Sequence, residues 1–200
     1  MQMINYKVFP TPIGEFKDVL FQEQCDEIIS HVEKTCLKQY GALIGDSQTS
    51  FNTQVSIVNT LPKELSLLLT MKIQNCLNQY TNETGIAKLV LENTWVSFQY
   101  PHSKLKNHTH PGSEVSGVLY LRVDEKSSPI YFYNPNPFST FTTLTNENRE
   151  YFCKSVKFKP TTGTILLFPS WLSHGSGDDE NMSEERIILS FNTKSSGVSV

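Results

Sequence analysis

The chain has 200 residues, with 17 basic and 20 acidic side chains, so its formal net charge is −3. That length suits one domain with a sizeable hydrophobic core, and the slightly acidic balance argues against the strongly basic surface that binds nucleic acid. The first six residues lack the basic-then-apolar layout of a signal peptide, and no apolar run approaches the roughly 18 residues that span a bilayer. We therefore expect a protein that binds neither membranes nor nucleic acid.

The four cysteines lie far apart in the sequence and form no Cys-x-x-Cys pair; they are Cys25, Cys36, Cys76 and Cys153. Such spacing is typical of buried free thiols in a reducing compartment, whereas a disulfide framework or a thiolate zinc site has a more regular pattern. The cysteines therefore predict a cytoplasmic location.

Two amphipathic helices are predicted in the first half of the chain, after an extended segment at 6–16 in which two prolines and a glycine exclude a helix. Apolar residues recur at helical spacing over 21–36, which predicts about four turns of helix. The same pattern over 60–85, with a proline near its start, predicts a second helix. Residues 41–60 are expected to form a polar loop with one short strand at Val55–Val58.

The second half has the β-branched and aromatic residues that are typical of strands, separated by Gly, Pro, Asn and Ser turns. Several short strands after two helices indicate an antiparallel sandwich or jelly roll with both helices packed on one sheet. We predict a mostly β, α+β fold in one domain over 1–200, with mainly helical support in 1–87 and the jelly-roll core in 88–200. The candidate strands are Lys88–Tyr100, Val115–Val123, Ile130–Tyr133, Tyr151–Phe158, Thr164–Phe168 and Arg186–Asn192.

Three histidines form a candidate metal site. His108 and His110 stand two positions apart just before an apolar, β-branched run. In a strand, residues i and i+2 point to one face, so these two imidazoles can converge on one ion. His174 follows another apolar segment, just past a turn that contains proline. Imidazole binds several transition metals, so the three histidines predict a metal site without identifying the metal.

Arg186 begins the apolar segment Arg186–Asn192. An arginine in such a segment is costly to bury without an anion. Two interpretations are open: an arginine at the edge of a sheet with its charged group in water, or a bidentate clamp for a carboxylate. Strand alternation places Ser190 on the face of Arg186, which makes Ser190 a candidate additional donor.

Four segments of the sequence carry a resemblance to a known family: His108-x-His110-Pro, Ser116–Leu121, Gly163–His174 and Arg186–Asn192. Together they resemble the iron(II)/2-oxoglutarate-dependent oxygenase superfamily, and most of all a small group of phage and bacterial oxygenases related to the prolyl 4-hydroxylase branch. The resemblance covers most of the chain and is specific in its C-terminal half. It implies a double-stranded β-helix that holds Fe(II), uses 2-oxoglutarate and O2, and hydroxylates a C–H bond while 2-oxoglutarate is decarboxylated to succinate.

The resemblance also assigns metal ligands. In the superfamily a His-x-Asp/Glu pair and a distal histidine bind the metal, which implies His108 and His174 as ligands and places His110 where a carboxylate is usual. The small group that the chain resembles also has His-x-His-Pro. The first-ranked ligand set is therefore His108, His110 and His174, and the alternative set contains Glu114.

For the cosubstrate, Arg186 matches the basic residue that pairs with the C5 carboxylate of 2-oxoglutarate in the superfamily. Tyr120 matches the strand position from which prolyl-hydroxylase-type enzymes add a hydroxyl to that carboxylate, and Ser190 is a further contact. The candidates for the walls of the cavity are Trp95, Phe98, Tyr131 and Trp171.

Two other interpretations remain open. His108-x-His110-x-x-x-Glu114 has the spacing of the first cupin motif, and Gly163–His174 is similar to the second. These patterns suggest a cupin-type metal-binding protein, or a dioxygenase that does not use 2-oxoglutarate. The other possibility is a jelly-roll binding module without catalytic activity, in which the histidines are structural. For an oxygenase, the prime substrate stays open between a small molecule and a peptide or protein side chain.

Overall fold

The structure is a computed structural model that describes residues 9–33, 43–51, 55–136 and 153–197. Within these ranges no helix has the length and apolar character needed to cross a membrane. The helices are α1 (Gln22–Val32) and α2 (Lys63–Thr84), with a short 3-10 helix at Ile57–Asn59. The strands are β1 (Gly14–Phe16), β2 (Leu43–Ile44), β3 (Ser47–Thr49), β4 (Leu89–Gln99), β5 (Lys104–Leu105), β6 (Val115–Arg122), β7 (Ile130–Tyr133), β8 (Ser155–Phe158), β9 (Ile165–Pro169), β10 (His174–Gly175) and β11 (Arg186–Ser195).

The strands form antiparallel sheets. A six-stranded sheet has the order β1-β9-β6-β11-β4-β3, a three-stranded sheet has the order β10-β7-β8, and β2 pairs with β5. β11 lies inside the large sheet, where Arg186 stands opposite Gln99 of β4 and Ile188 stands opposite Tyr120 of β6. The predicted fold, mostly antiparallel β with two supporting helices, is confirmed.

Two hydrophobic clusters cover the opposite faces of the large sheet. Both helices pack on one face, where Ile187 and Leu189 of β11 are fully buried. The small sheet contributes Ile130 and Phe132 to a second cluster on the other face, which also contains Ile188. Each such side chain stabilises the fold by about 1.5–3 kcal/mol. Because β11 alternates between two buried faces, three hydrophobic residues stand in a row at its start, Ile187, Ile188 and Leu189.

α1 follows the predicted pattern over the described residues. It begins after Phe21, whose backbone N–H donates to the side chain of Gln24 at 3.0 Å. Its buried residues recur at helical spacing, as expected of one apolar face: Cys25, Ile28, Ile29 and Val32. Cys36, at the predicted end of the helix, lies outside the described residues.

α2 begins after Pro62 and ends at Gly85, which adopts the left-handed conformation (φ 74°) and donates its N–H to the carbonyl of Thr81 at 2.9 Å. Glycine is favoured at such a C-terminal cap because it has no Cβ. The predicted apolar stripe of α2 is buried except for Leu68, which is partly exposed.

The strand predicted at Val55–Val58 is wrong, since Ile57–Asn59 forms a 3-10 turn. The backbone N–H of Val58 donates to the side-chain oxygen of Thr94 at 3.1 Å, and the N–H of Thr60 donates to the carbonyl of Ile57 at 2.9 Å. A side chain and the turn itself therefore satisfy the donors that a neighbouring strand would otherwise satisfy.

Two short strands that the sequence did not predict extend the large sheet at its edges. β1 pairs with β9, with Gly14 opposite Leu167, and β3 pairs with β4, with Gln48 opposite Phe98. Residues 41–60 are therefore not only a polar loop, and the segment 1–87 supplies edge strands as well as helices. The strand predicted at Tyr151–Phe158 is observed as β8, with residues 151 and 152 outside the described ranges.

Three of the cysteines, Cys25, Cys76 and Cys153, are free thiols. Burial raises the pKa of the Cys25 and Cys76 thiols to about 11. Both thiols therefore stay protonated at neutral pH and are poor nucleophiles. Cys36 lies outside the described residues.

Candidate functional site

Three histidines from two segments meet between the sheets. His174 begins β10, and His108 stands opposite it in an isolated β-bridge. The N–H of His108 donates to the carbonyl of His174 at 2.9 Å, and the N–H of His174 donates back to the carbonyl of His108 at 3.1 Å. The N–H of His110 donates to the carbonyl of Ser170 at 2.9 Å. The expectation that His108 and His110 belong to a regular strand is wrong, but both side chains line the same cavity.

The distances suit a shared metal ion. One potential ligand nitrogen from each histidine lies within 4.8 Å of the other two. The Nε2 atoms of His110 and His174 are 3.3 Å apart. Two imidazole nitrogens bound at about 2.0–2.1 Å to one ion are separated by about 3 to 3.4 Å. His110 and His174 are therefore already at a suitable separation, and His108 offers a third nitrogen within 4.8 Å of both.

Backbone carbonyls fix the tautomers of two of the histidines. The Nδ1 of His108 lies 2.9 Å from the carbonyl of Lys106, and the Nδ1 of His174 lies 2.8 Å from the carbonyl of Leu172. A carbonyl only accepts hydrogen bonds, so each Nδ1 carries the proton. The Nε2 lone pairs of both residues are then available to a metal, as in histidine sites whose second nitrogen donates to a carbonyl.

Burial keeps these imidazoles neutral. Burial, together with the neighbouring His108, lowers the pKa of His174 to about 3. Burial and His108 together lower the pKa of His110 to about 4, and burial also lowers the pKa of His108. Neutral imidazole is the form that binds metals, so no proton has to be displaced at neutral pH.

Glu114 does not join the three histidines. Its side chain is exposed, and its Oε1 accepts a hydrogen bond from the backbone N–H of Ser195 at 3.2 Å. Among the described histidine, cysteine and acidic residues, the group that could share a metal ion is His108, His110 and His174, without Glu114. The structure therefore separates Glu114 from the other candidate ligands.

A buried cation also lines this cavity. Arg186 is 5% exposed, so the interpretation with its charged group in water is wrong. Its Nη1 donates to Oε1 of Gln99, and its guanidinium lies 5.5 Å from the centre of the Tyr120 ring. Among the described residues no carboxylate forms an ion pair with Arg186.

Several donors around Arg186 are left without a partner. The Nε of Arg186, the Nε2 of Gln99 and the hydroxyl of Tyr120 are buried and make no hydrogen bond within the described part of the chain. Burial raises the pKa of Tyr120 to about 12, against the opposing effect of Arg186, so the phenol stays protonated. Burial lowers the pKa of Arg186, but a guanidinium remains charged in proteins. Unsatisfied buried donors around an unpaired cation are what an anionic ligand requires.

One cavity of about 170 Å³ joins the histidines to this donor group, and Ser190 also lines it. A single water needs roughly 10–15 Å³ of such space, so the cavity has room for a small organic molecule. Most of its wall is apolar or aromatic, as in other small-molecule sites. The apolar walls include Phe51, Trp95, Leu105, Val118, Phe168 and Ile188.

Of the four aromatic residues predicted as walls, the structure places one at the cavity. Trp95 lines it, with its ring centre 5.7 Å from that of His110. Phe98 faces the helices, because alternation on β4 turns it away from the face of Trp95. The hydroxyl of Tyr131 donates to Asp179 outside the cavity, and Trp171 is 57% exposed in the turn after β9.

The sequence interpretation missed Gln99, which lies on the same face of β4 as Trp95 and Ser97. The alternation of side chains along a strand places residues 95, 97 and 99 on one face, so the prediction of Trp95 as a wall could have been extended to Gln99. Phe51 and Leu43 were also missed, and they reach the cavity from the segment predicted as a polar loop. Their positions depend on tertiary packing, for which a loop sequence carries no periodic signal.

A protein-family model described as "Putative 2OG-Fe(II) oxygenase" matches residues 93–192. The chain belongs to this oxygenase family. The matched half of the sequence runs from β4 to β11 and contains the three clustered histidines, Tyr120 and Arg186. The family makes the protein a 2-oxoglutarate-dependent oxygenase and decides against both the cupin and the non-enzymatic interpretations.

Several solved structures share the fold of this chain. The oxygenase is similar to a viral collagen prolyl hydroxylase from Paramecium bursaria Chlorella virus-1, at 17% identity over 92% of this chain and 96% of that chain, with a TM-score of 0.57. It is also similar to a prolyl-4-hydroxylase from Pseudomonas putida (13% identity, 94% of each chain, TM-score 0.61). HygX from Streptomyces hygroscopicus, solved with nickel and 2-oxoglutarate, matches at 11% identity over 94% of this chain and 85% of that chain (TM-score 0.62). At these identities the likeness shows the fold, which confirms the predicted jelly roll.

A search of curated protein sequences finds no match to the oxygenase.

Proposed function

We propose that this oxygenase hydroxylates a C–H bond of a small molecule or of a peptide side chain, coupled to the decarboxylation of 2-oxoglutarate to succinate. Fe(II) is held by His108, His110 and His174. The observation that carries the proposal is one cavity lined both by three neutral imidazoles and by a buried guanidinium that has no ion-pair partner among the described residues.

The donor set fits the metal. Three imidazoles, two of them with Nδ1 bound to carbonyls, offer nitrogen ligands of the kind that iron accepts. When bound, Fe(II) supplies the activation of O2 that the oxidation requires. Glu114 is the second choice as a ligand, because it is exposed and bound to a backbone N–H elsewhere.

The donors around Arg186 fit a carboxylate. Arg186 supplies the charge, and Tyr120 supplies a hydroxyl that stays protonated. Ser190 lines the cavity on the strand of Arg186 and is a further donor. Charge-assisted hydrogen bonds of this kind hold one end of 2-oxoglutarate and fix the keto acid at the other end beside the metal.

The walls exclude water from the reacting group. Trp95 packs edge-on against Phe51, with ring centres 5.0 Å apart, beside His110.

The proposed substrate class includes both small molecules and peptide side chains. The reason is that the similar structures include a collagen prolyl hydroxylase and HygX with hygromycin B bound. A cytoplasmic location remains part of the proposal, supported by the free thiols of Cys25, Cys76 and Cys153.

The test is anaerobic titration of the protein with Fe(II) and 2-oxoglutarate. We expect the visible charge-transfer band of a bidentate keto-acid chelate, and we expect His174→Ala to abolish it. His102→Ala is the matched control, because His102 is exposed and bound to Glu180 outside the cavity. Bound iron without the band would contradict the proposal.

Arg186→Ala tests the clamp in the same experiment. It should weaken 2-oxoglutarate binding far more than Fe(II) binding, because a guanidinium carries only donors and cannot itself be a metal ligand. Arg122→Ala is the control, since Arg122 pairs with Asp26 and Glu185 outside the cavity. Equal losses of metal and keto-acid affinity would mean that Arg186 is structural.

A further inference from the structure

We propose that Gln99 is a binding and specificity-determining residue for 2-oxoglutarate, and that it must be a neutral amide to act as one. It holds the guanidinium of Arg186 in place, leaves the positive charge uncancelled, and donates its own N–H to the distal carboxylate. This inference rests on the proposed function and assigns part of it to a residue that the resemblance did not indicate.

The contact with Arg186 fixes which way the amide of Gln99 points. Gln99 ends β4 directly opposite Arg186 on β11, and no part of its side chain is exposed to solvent. A guanidinium carries only donors, so the atom of Gln99 against Nη1 is the oxygen. The amide nitrogen then points away from Arg186. It is buried, it has no partner among the described residues, and Gln99 lines the cavity.

The charge of Arg186 depends on having a neutral partner. A carboxylate at position 99 would form a buried ion pair and satisfy the cation within the protein. An amide accepts the same hydrogen bond without adding charge. The chain offers a contrast in Arg122, which is held by the carboxylates of Asp26 and Glu185 and makes no contact with the cavity.

The number of free donors fits one carboxylate. The Nε2 of Gln99, the Nε of Arg186 and the hydroxyl of Tyr120 come from β4, β11 and β6, three neighbouring strands. All three are buried and unsatisfied within the described part of the chain. An ionised carboxylate offers about four lone-pair sites and no donor, so it can accept from all three at once. A neutral chain end without acceptors would leave them unpaired.

The experiment compares two keto acids with and without the distal carboxylate. Iron(II)-loaded wild-type protein is titrated anaerobically with 2-oxoglutarate and with 2-oxopentanoate, which has the same chain but no distal carboxylate. Gln99→Met keeps the size and removes the hydrogen bonds. We expect it to weaken 2-oxoglutarate binding by about 10- to 100-fold, the scale of one hydrogen bond to a charged group, and to leave 2-oxopentanoate binding unchanged.

Gln99→Glu tests the need for neutrality. We expect a larger loss for 2-oxoglutarate than with Gln99→Met, and again little change for 2-oxopentanoate. Gln48→Glu is the control for the added charge, because Gln48 is exposed on the neighbouring strand β3 and does not line the cavity. A Gln99→Glu protein that binds 2-oxoglutarate as tightly as wild type would overturn the claim.

The outcomes separate this inference from the proposed function. If Gln99→Met weakens both keto acids equally, Gln99 is a structural residue and the inference falls while the oxygenase proposal stands. If the wild-type protein binds 2-oxoglutarate no better than 2-oxopentanoate, both the cosubstrate proposal and this inference are wrong. Gln99→Met adds no charge to the core. If Gln99→Glu fails to fold, the comparison of the two keto acids in Gln99→Met therefore still tests the inference.

Discussion

Position 110 is the residue at which this site departs from the usual ligand pattern of its superfamily. A histidine there adds no negative charge, so a metal held by His108, His110 and His174 keeps its full charge of +2 until the keto acid binds. Arg186 adds a further positive charge in the same cavity. The site is therefore strongly biased towards an anionic cosubstrate, because unlike charges attract most strongly where water is excluded.

The two candidate ligand sets can be separated by single substitutions. Glu114→Gln should leave Fe(II) affinity nearly unchanged, because Glu114 is exposed and bound to the backbone of Ser195. His110→Ala should lower that affinity by more than about 10-fold, since even the loss of an outer partner of a ligand costs that much. Anaerobic competition with a coloured chelator measures both affinities. A large loss of Fe(II) affinity in Glu114→Gln, without one in His110→Ala, would mean that Glu114 is a metal ligand.

Individual site residues could be predicted from the sequence where metal or anion binding requires a particular type of side chain. A lone arginine at the head of an apolar strand and two imidazoles two positions apart are unusual enough to be noticed, and all three line the cavity. Gln99 was missed because a glutamine in a strand has many ordinary explanations. Its role depends on the residue opposite it in the sheet, and that pairing is not written in the sequence.

Among the elements, β11 organises the molecule. Its residues alternate between the helix-side cluster and the cavity side, so the strand that completes the core also carries Arg186 and Ser190. β11, α2 and the four-residue strand β7 were predicted at or near their bounds, and the start of α1 was predicted to within one residue. The edge strands β1 and β3 were not predicted, because they have three residues each and owe their structure to strands already in place.

A glycine in β6 tests how tightly the large sheet packs. A Cβ on Gly117 would lie 2.2 Å from the ring of Phe191 and 2.8 Å from the side chain of Leu167, both fully buried. Gly117→Ala should therefore lower the free energy of unfolding by about 1–3 kcal/mol, the usual cost of overpacking. Chemical denaturation measures the change.

Gly85→Ala is a useful comparison for that experiment. Nothing lies within 4 Å of a Cβ at position 85, so its cost comes from the left-handed backbone alone, about 1–2 kcal/mol. Gly117→Ala should lower stability more than 2-oxoglutarate affinity, because Phe191 and Leu167 belong to the helix-side cluster and do not line the cavity. Unchanged stability in Gly117→Ala would mean that the sheet can shift to accommodate the added methyl group.

For the whole molecule, the buried histidines make stability depend on pH. The pKa of His174 lies at about 3 and that of His110 at about 4, below the ordinary value of 6.5. The unfolded chain therefore takes up protons first as the pH falls, and the stability that these residues contribute above pH 6.5 is lost towards their folded pKa values. The metal-free protein should melt at a lower temperature at about pH 5 than at about pH 7, a window above the titration of ordinary carboxyl groups.

The melting temperature of His174→Gln should vary less across that window, because the variant lacks the most strongly shifted of these groups. Added Fe(II) should raise the melting temperature by a similar amount at both pH values, because the imidazoles of His110 and His174 are already neutral in the folded protein across that window. Thermal melts of the metal-free and metal-loaded proteins measure both effects. An equal slope in wild type and His174→Gln would mean that other groups govern the response to acid.

The reciprocal backbone hydrogen bonds between His108 and His174 have a consequence for how the site is assembled. The backbones of the two residues whose side chains would meet at a metal are hydrogen-bonded to each other. The backbone of His110 is likewise hydrogen-bonded to that of Ser170, four residues before His174. The conformational entropy of bringing distant parts of the chain together is therefore lost during folding and not on metal binding. We expect removal of the ion to leave amide-exchange protection around these residues largely intact. The metal-free site would then keep its binding geometry and bind the ion without refolding.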